Sequence, residues 1–328
     1  MNRLKSIAQY LIILAVTAAL LRFSLSSIDP NPGQSTPAFL WDTWASSDKF
    51  YLLMMFVVAM ISHVLRALRW KLLLQPAGFL VSTSSSFLSL MIGYLVNLVI
   101  PRGGEVSRSI NLWKLEKVPA EVSFGTVVTE RLVDVVCLFA LVSFSFWMEW
   151  EKLRGFLEEK LSGTDSFPNP GMAWVLVPLA VLAVCSLLWH FLKKNKKFQA
   201  LLRGFKTGMV TIFRMEHYGL FLFYSFAIWF LYFLTTWMVI KAFDQTAHLG
   251  ADAVFTVFAL GSVAMAVPLP GGTGSYHTLV PLGLVALYGL KQSDAVALVF
   301  IFHGLQTLIL IASGLISMII SLWLIRSR

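Results

Sequence analysis

Apolar residues gather in long unbroken stretches rather than recurring on one face, and the longest stretches are bounded by Lys, Arg, Asp or Glu. A bilayer-crossing helix needs about 20 mostly apolar residues. Six stretches satisfy this: about Ile7 to Leu25, Lys49 to Leu74, Glu121 to Met148, Met172 to Leu192, His217 to Ala242 and Ser293 to Ile325. The first lies behind Arg3 and Lys5 and has the outline of a signal peptide. It continues into Arg22 and Phe23 with no small-x-small cleavage pattern, so a retained helix is expected. Two further apolar stretches, about Ser85 to Pro101 and Asp252 to Pro268, run into Pro-Arg-Gly-Gly and Pro-Leu-Pro-Gly-Gly before reaching a comfortable crossing length. Proline and glycine stop helices. Both stretches are therefore expected to turn within the membrane as re-entrant hairpins, giving an all-α polytopic protein of six full spans plus two re-entrant helical hairpins.

Composition agrees with that reading. Hydrophobic residues make up 57% of the 328 and charged residues only 13%, against roughly a quarter charged in a soluble domain. The formal net charge is +9, but the cations flank apolar spans instead of forming a patch, which disfavours a nucleic-acid binder, a soluble enzyme and a disordered chain. Cys137 and Cys185 lie inside apolar runs without metal or redox spacing and read as small core residues.

Lys and Arg accumulate on the cytoplasmic side of membrane proteins. One side collects Arg3, Lys5, Arg66, Arg69, Lys71, Lys114, Lys117, the tract Lys193 to Arg214, Arg326 and Arg328, while the other carries Asp29, Asp42, Asp48, the mixed stretch Glu149 to Asp165, Asp244 and Asp252. Both termini are expected inside. The hairpin at Pro101 then enters from the cytoplasm and the one at Pro270 from outside. The basic tract reads as a topology signal more than as a specific lipid site.

Aligning Gly103-Gly104 with Gly271-Gly272 brings the two hairpins into register, Gly93-Tyr-Leu-Val-Asn-Leu-Val-Ile-Pro101 against Gly261-Ser-Val-Ala-Met-Ala-Val-Pro-Leu-Pro270. Each half has the order helix, helix, hairpin, helix. The expected organisation is one transmembrane domain, 1–328, with a first repeat at about 6–148 and a second of opposite topology at about 172–326. Inverted repeats are characteristic of secondary transporters, whose sites lie where broken helices from both halves meet. Chance similarity between apolar, glycine-rich segments is the alternative.

The candidate chemistry sits at the breakers. Arg102, Gly103, Gly104, Glu105 and Arg108 occupy the first tip, where charge is costly and usually functional. The glycines allow close backbone approach and the following helix points its positive end at the tip, which together describe a phosphate site. Arginines that snorkel to the interface, with Glu105 settling a helix N-terminus, are the alternative. The second tip, Gly271, Gly272, Thr273, Ser275, Tyr276 and His277, is neutral and rich in donors; Thr273 or Ser275 could equally be helix caps, and His277 is the stronger anion donor. Glu130, Arg131 and Asp134 lie deep in a span with His303 on the matching face of the last one, an intramembrane charge network that must pair or line a wet cavity. Arg66, Arg69, Trp70 and Lys71 read as an interfacial anchor, and His63 as a hydrogen-bonded core residue.

The chain lacks a G-x-x-x-x-G-K-[ST] loop and an H-E-x-x-H motif, and Gly272-Thr273-Gly274-Ser275 is not a nucleophile elbow. No catalytic residue, metal or cofactor is expected, and the chain is not expected to be an enzyme. With no nucleotide motif, transport would run down the substrate's own gradient or use an ion gradient. Glu105, Glu130, Asp134 and His277 are the available proton carriers, and gradient-driven exchange is preferred because arginines adjoin the acids.

The ordered set Arg66-Ala-Leu-Arg69-Trp70, Gly93-Tyr94 with Asn97, Pro101-Arg102-Gly-Gly-Glu105-Val-Ser-Arg108, Glu130-Arg131-Leu-Val-Asp134 and Pro270-Gly-Gly-Thr-Gly resembles one family over nearly the whole chain. That family is the lysylphosphatidylglycerol synthase transmembrane region, a flippase-like domain that also occurs as stand-alone membrane proteins. The resemblance implies movement of an anionic or aminoacylated phospholipid, or a polyprenyl-phosphate-linked lipid, between leaflets. The expected location is the bacterial inner (cytoplasmic) membrane. Bifunctional members add a soluble aminoacyltransferase domain, which this chain, ending at Arg328, is not expected to carry. The expected partner is a lipid with a phosphate head group, with no nucleic acid. The competing class is a non-transporting membrane component that holds lipid for a separate glycosyl- or aminoacyl-transferase.

Overall fold

The computed structural model describes residues 2–30, 33–161, 199, 212 and 215–327, with backbone alone for 2–9 and 156–161. These residues are helical, without a strand among them. The span read at Met172 to Leu192, the basic tract apart from Gln199 and Ile212, Cys185 and the start of the second repeat lie outside the described residues.

Helix α1 is Asn2–Ser26, and the short α2, Thr36–Ser46, follows it. The side chain of Ser35 caps α2 by accepting from the Ala38 amide, and Asp48 does the same for α3, Lys49–Leu74, through the Phe50 amide. The α4 helix, Thr83–Asn97, is capped by Ser82. The chain then breaks at Pro101 and Arg102, whose φ of 60° is left-handed, and re-forms as α5, Gly103–Glu116. Following Pro119 is α6, Ala120–Met148, and then α7, Trp150–Leu161. The second half contains α8 (Tyr218–Ala242), α9 (Ala251–Ala266), a break through Pro268 and Pro270, α10 (Ser275–Tyr288) and α11 (Gln292–Arg326).

Helices thus stand where five of the six apolar stretches were read as spans. Among the described residues, three are both long and apolar enough to cross a membrane: Lys49–Ala77, Tyr218–Ala242 and Gln292–Arg326. The 29 residues of α6 give it the length, but it carries Glu130, Arg131 and Asp134 in its middle. The short α2 and α7 were not expected from the pattern.

The α4–α5 and α9–α10 pairs are helical hairpins, each packed along its own length. Close approach requires glycine in both. A Cβ on Gly104 would stand 2.2 Å from the Gly93 carbonyl oxygen, and one on Gly261 would stand 2.7 Å from the Tyr276 ring.

The hairpins come from opposite ends of the bundle. At one end Ser82 donates to Glu116 and Lys71 to Thr83, tying the base of the first hairpin to α3. At the other end Asp48 joins Ala242, Ser293 joins Asp29, and Lys152 of α7 joins Asp252 at the base of the second hairpin. The tips meet between these ends, where a Cβ on Gly271 would lie 2.8 Å from the Leu98 side chain. A large apolar core, including Met55, Ile240, Val254, Val257, Leu284 and Phe302, surrounds the second hairpin. A smaller one around Trp70, Leu74 and Leu112 lies beside the first.

Candidate functional site

The polar centre of the molecule is built on three helices. Glu130 and Asp134 are one turn apart on α6 and share a face. Arg66 and Arg69 lie three apart on α3, and Arg108 projects from α5. Fully buried Glu130 accepts through Oε1 from Arg66 at 2.9 Å and Arg69 at 3.1 Å, and through Oε2 from Arg108 at 2.7 Å. Asp134 accepts from Arg69 at 2.8 Å and lies 3.7 Å from both Arg66 and Arg131. Arg131 turns outward and donates to Glu105 at 3.1 Å.

Neutral groups complete the cage. Arg66 donates to the Tyr232 hydroxyl at 3.0 Å and Arg69 to Ser225 at 3.2 Å, both on α8. The Arg108 guanidinium stacks 4.6 Å over the ring of Trp70, whose indole N–H is held by Thr126 at 3.0 Å. Four guanidinium groups, Arg66, Arg69, Arg108 and Arg131, face three carboxylates, Glu105, Glu130 and Asp134, leaving one positive charge in excess.

Taking ions out of water costs several kcal/mol each, and apolar replacements of buried ion pairs are often as stable. Packing alone therefore does not account for seven charged side chains gathered in the middle of an apolar bundle.

The cluster opens toward the first hairpin. Tyr94, Asn97, Gly104, Glu105, Arg108 and Arg131 line a small, partly open recess between α4, α5 and α6. Tyr94 Oη, Glu105 Oε2 and Arg108 Nε are buried there without a hydrogen-bond partner. Buried polar groups are normally satisfied, so these atoms have hydrogen-bonding capacity left for a polar group that enters beside them.

Several sequence expectations need correction. Arg66 and Arg69 are not an interfacial anchor: they are 7% and 0% exposed and ion-paired, because acids at the depth of Glu130 draw in whatever cation is within reach. Arg102 is exposed at the tip and is not in the cluster. The amides of Gly103 and Gly104 do not face a ligand, since Ile100 O accepts from one at 2.9 Å and Asn97 Oδ1 from the other at 2.7 Å. Glycine at 104 instead serves helix contact.

His303 is also apart from the acids. Its Nε2 lies 3.0 Å from Gly271 O and its ring stacks on Tyr276, 5.1 Å between centroids. His277 is 4% exposed, packed on Phe300 and His303, with Nδ1 accepting from the Gly274 amide at 3.4 Å. Ser275 donates to Ala264 O and Gly272 O, closing its own hairpin. Gly272 and Thr273 donate backbone N–H groups to Leu269 O and Pro270 O within the turn. The second tip is thus satisfied largely from within. Among the described residues, no three or more His, Cys, Asp or Glu converge as metal ligands.

Tyr94, Tyr232 and Ser225 were missed as parts of the site. Tyr94 stood in the motif next to Gly93, but an aromatic or hydroxyl side chain in an apolar run gives no separate signal.

The fold and this centre define an all-helical membrane protein with an arginine–carboxylate cluster beneath one of two opposed helical hairpins. The chain belongs to the lysylphosphatidylglycerol synthase TM region family, whose sequence profile matches residues 7–314. It is 26% identical over 214 residues to UPF0104 membrane protein MJ1078 of Methanocaldococcus jannaschii, covering 61% of this chain and 81% of that one. To UPF0104 membrane protein MJ1595 of the same organism it is 32% identical over 87 residues, and the match spans 26% of each chain. No solved structure matches.

Proposed function

We propose that this protein moves a lipid with an anionic head group between leaflets, the phosphate resting in the recess against Arg108 and Arg131 while the acyl chains stay in the bilayer. The observation that carries the reading is the cluster's excess positive charge opening on a recess with unpartnered buried donors. Charge-assisted hydrogen bonds from guanidinium groups suit a phosphate, and a low-dielectric site strengthens them.

Movement, rather than binding alone, is supported by the way the elements pair. The contacts α3–α4, α4–α5, α5–α6 and α6–α9 are matched by α8–α9, α9–α10, α10–α11 and α11–α4, as a repeat with opposed hairpins requires. On this reading the chain has six spans and two re-entrant hairpins, both termini face the cytoplasm, and the tips form the barrier that alternates. The lipid is a phospholipid, plain or aminoacylated, or a polyprenyl-phosphate carrier in the cytoplasmic membrane. Arg108 and Glu130 hold the centre, and His277 and His303 hold the second tip. Glu130 and Asp134, already engaged with arginines, organise the cations instead of shuttling protons.

The test is head-group exposure of labelled phosphatidylglycerol in proteoliposomes. Wild type is expected to move the label well above protein-free vesicles, and Arg108→Gln to lose that movement while still folding. Lipid that co-purifies and is retained without being moved would replace translocation by a lipid-holding role beside a separate transferase. An unchanged rate in Arg108→Gln would remove the cluster from the path.

A further inference from the structure

Opposite polarities stand unpaired in the recess. Arg108, 3% exposed, keeps its Nε unpartnered, and the Tyr94 hydroxyl is free to donate; both suit a phosphate oxygen. Glu105 differs. Its Oε1 is committed to Arg131 at 3.1 Å, whereas Oε2 is buried and unpartnered. An ionised carboxylate is an acceptor only, and a phosphate cannot satisfy it. The group that does must be a donor, placed within the small span of the recess from the phosphate.

Resting on the translocase reading, we infer that Glu105 is a specificity-determining residue that selects head groups carrying a hydroxyl or ammonium donor next to a phosphodiester. The charge balance points the same way. One positive charge in excess neutralises one phosphodiester, while a dianionic phosphomonoester leaves charge uncompensated in a low-dielectric site. Sites built to hydrogen-bond a ligand group reject analogues that lack it, because the protein's own polar atom is then left unpaired.

Phosphatidylglycerol and phosphatidylmethanol separate the contributions cleanly. Both are singly charged phosphodiesters, and only the first carries donor hydroxyls on its head group. Wild type is expected to move and to retain phosphatidylglycerol on the order of ten- to a hundredfold better, the worth of one hydrogen bond to a charged group. Glu105→Gln should lose that preference, its ratio of phosphatidylglycerol to phosphatidylmethanol handling falling toward one whatever the absolute rates, and a cooperative thermal unfolding transition in detergent shows that the variant folds.

Movement is read in proteoliposomes and retention by native mass spectrometry with the two lipids at equal concentration. Movement of both lipids at equal rates, or a preference that survives in Glu105→Gln, overturns the assignment and leaves the translocase reading standing. Selective retention without movement does the reverse. Equal retention without movement overturns both.

Discussion

The two hairpins share a plan and differ in what surrounds them. The first, α4–α5, leans on a cage of arginines and acids and keeps unpartnered polar atoms beside its tip. The second, α9–α10, is wrapped by the large apolar core, and its tip is bonded to itself and to His303. Similar backbones thus carry different work. The first hairpin holds charge, whose desolvation is offset in part by its own ion pairs and, on the proposed reading, by an anionic head group. The second is a well-packed turn whose polar groups are largely bonded within it.

Breaking the first hairpin's cage should therefore cost more than anything done to the second. Glu130→Ala takes from Arg108 its carboxylate partner and leaves Arg66 and Arg69 to share Asp134. Removing one partner of a buried ion pair costs about 3–5 kcal/mol, so thermal unfolding in detergent should show the largest loss here, or no folded protein at all. A mild effect would mean that the cage is wet and loosely held.

Gly104→Ala probes the same hairpin by packing. Its Cβ would overlap the Gly93 carbonyl, and overpacking costs about 1–3 kcal/mol. The midpoint should fall, and a variant that also replaces Asn97, the other near neighbour, should not rescue it, because the obstacle is backbone.

On the second hairpin, His303→Leu removes the hydrogen bond to Gly271 O and leaves that carbonyl unsatisfied, at about 1–3 kcal/mol. Cysteine labelling at the tip should then speed up in the variant. At its base, exposed Lys152 bridges half-exposed Asp252 and buried Glu149, which Tyr288 also holds, and ion pairs with an exposed cation contribute about 0–1 kcal/mol. Lys152→Ala should shift the midpoint least of all. Were it to rival Glu130→Ala, the contrast between the hairpins would be wrong.

Much of this was legible in the sequence because membrane helices are written as long apolar runs and breakers as Pro and Gly. The breaks at Pro101-Arg102 and Pro268–Pro270 fall where the residues placed them. Glu130 and Asp134 announced themselves as acids too deep to stand alone.

Their partners were harder to see. Arg66 and Arg69 are followed by Lys71 near the end of a helix, the pattern of an interfacial anchor. Only tertiary packing of α3 against α6 turns those arginines inward. The glycines misled for a related reason: a Gly-Gly at a helix start reads as an anion cradle, yet whether its amides are free depends on one side chain, Asn97, arriving from the neighbouring helix. His303 followed the symmetry of the repeat onto the acids' face, but the second half has no acids there for it to meet.

If binding belongs to the first hairpin and closure to the second, transport depends on the tips separating. Cysteines at Leu98 and Gly271, with Cys137 and Cys185 replaced, place a cross-link directly across the contact. Each single variant and the reduced pair should move phosphatidylglycerol in proteoliposomes, the oxidised pair should stop, and reductant should restore it. An oxidised, fully cross-linked pair that moves lipid at the reduced rate would contradict the account.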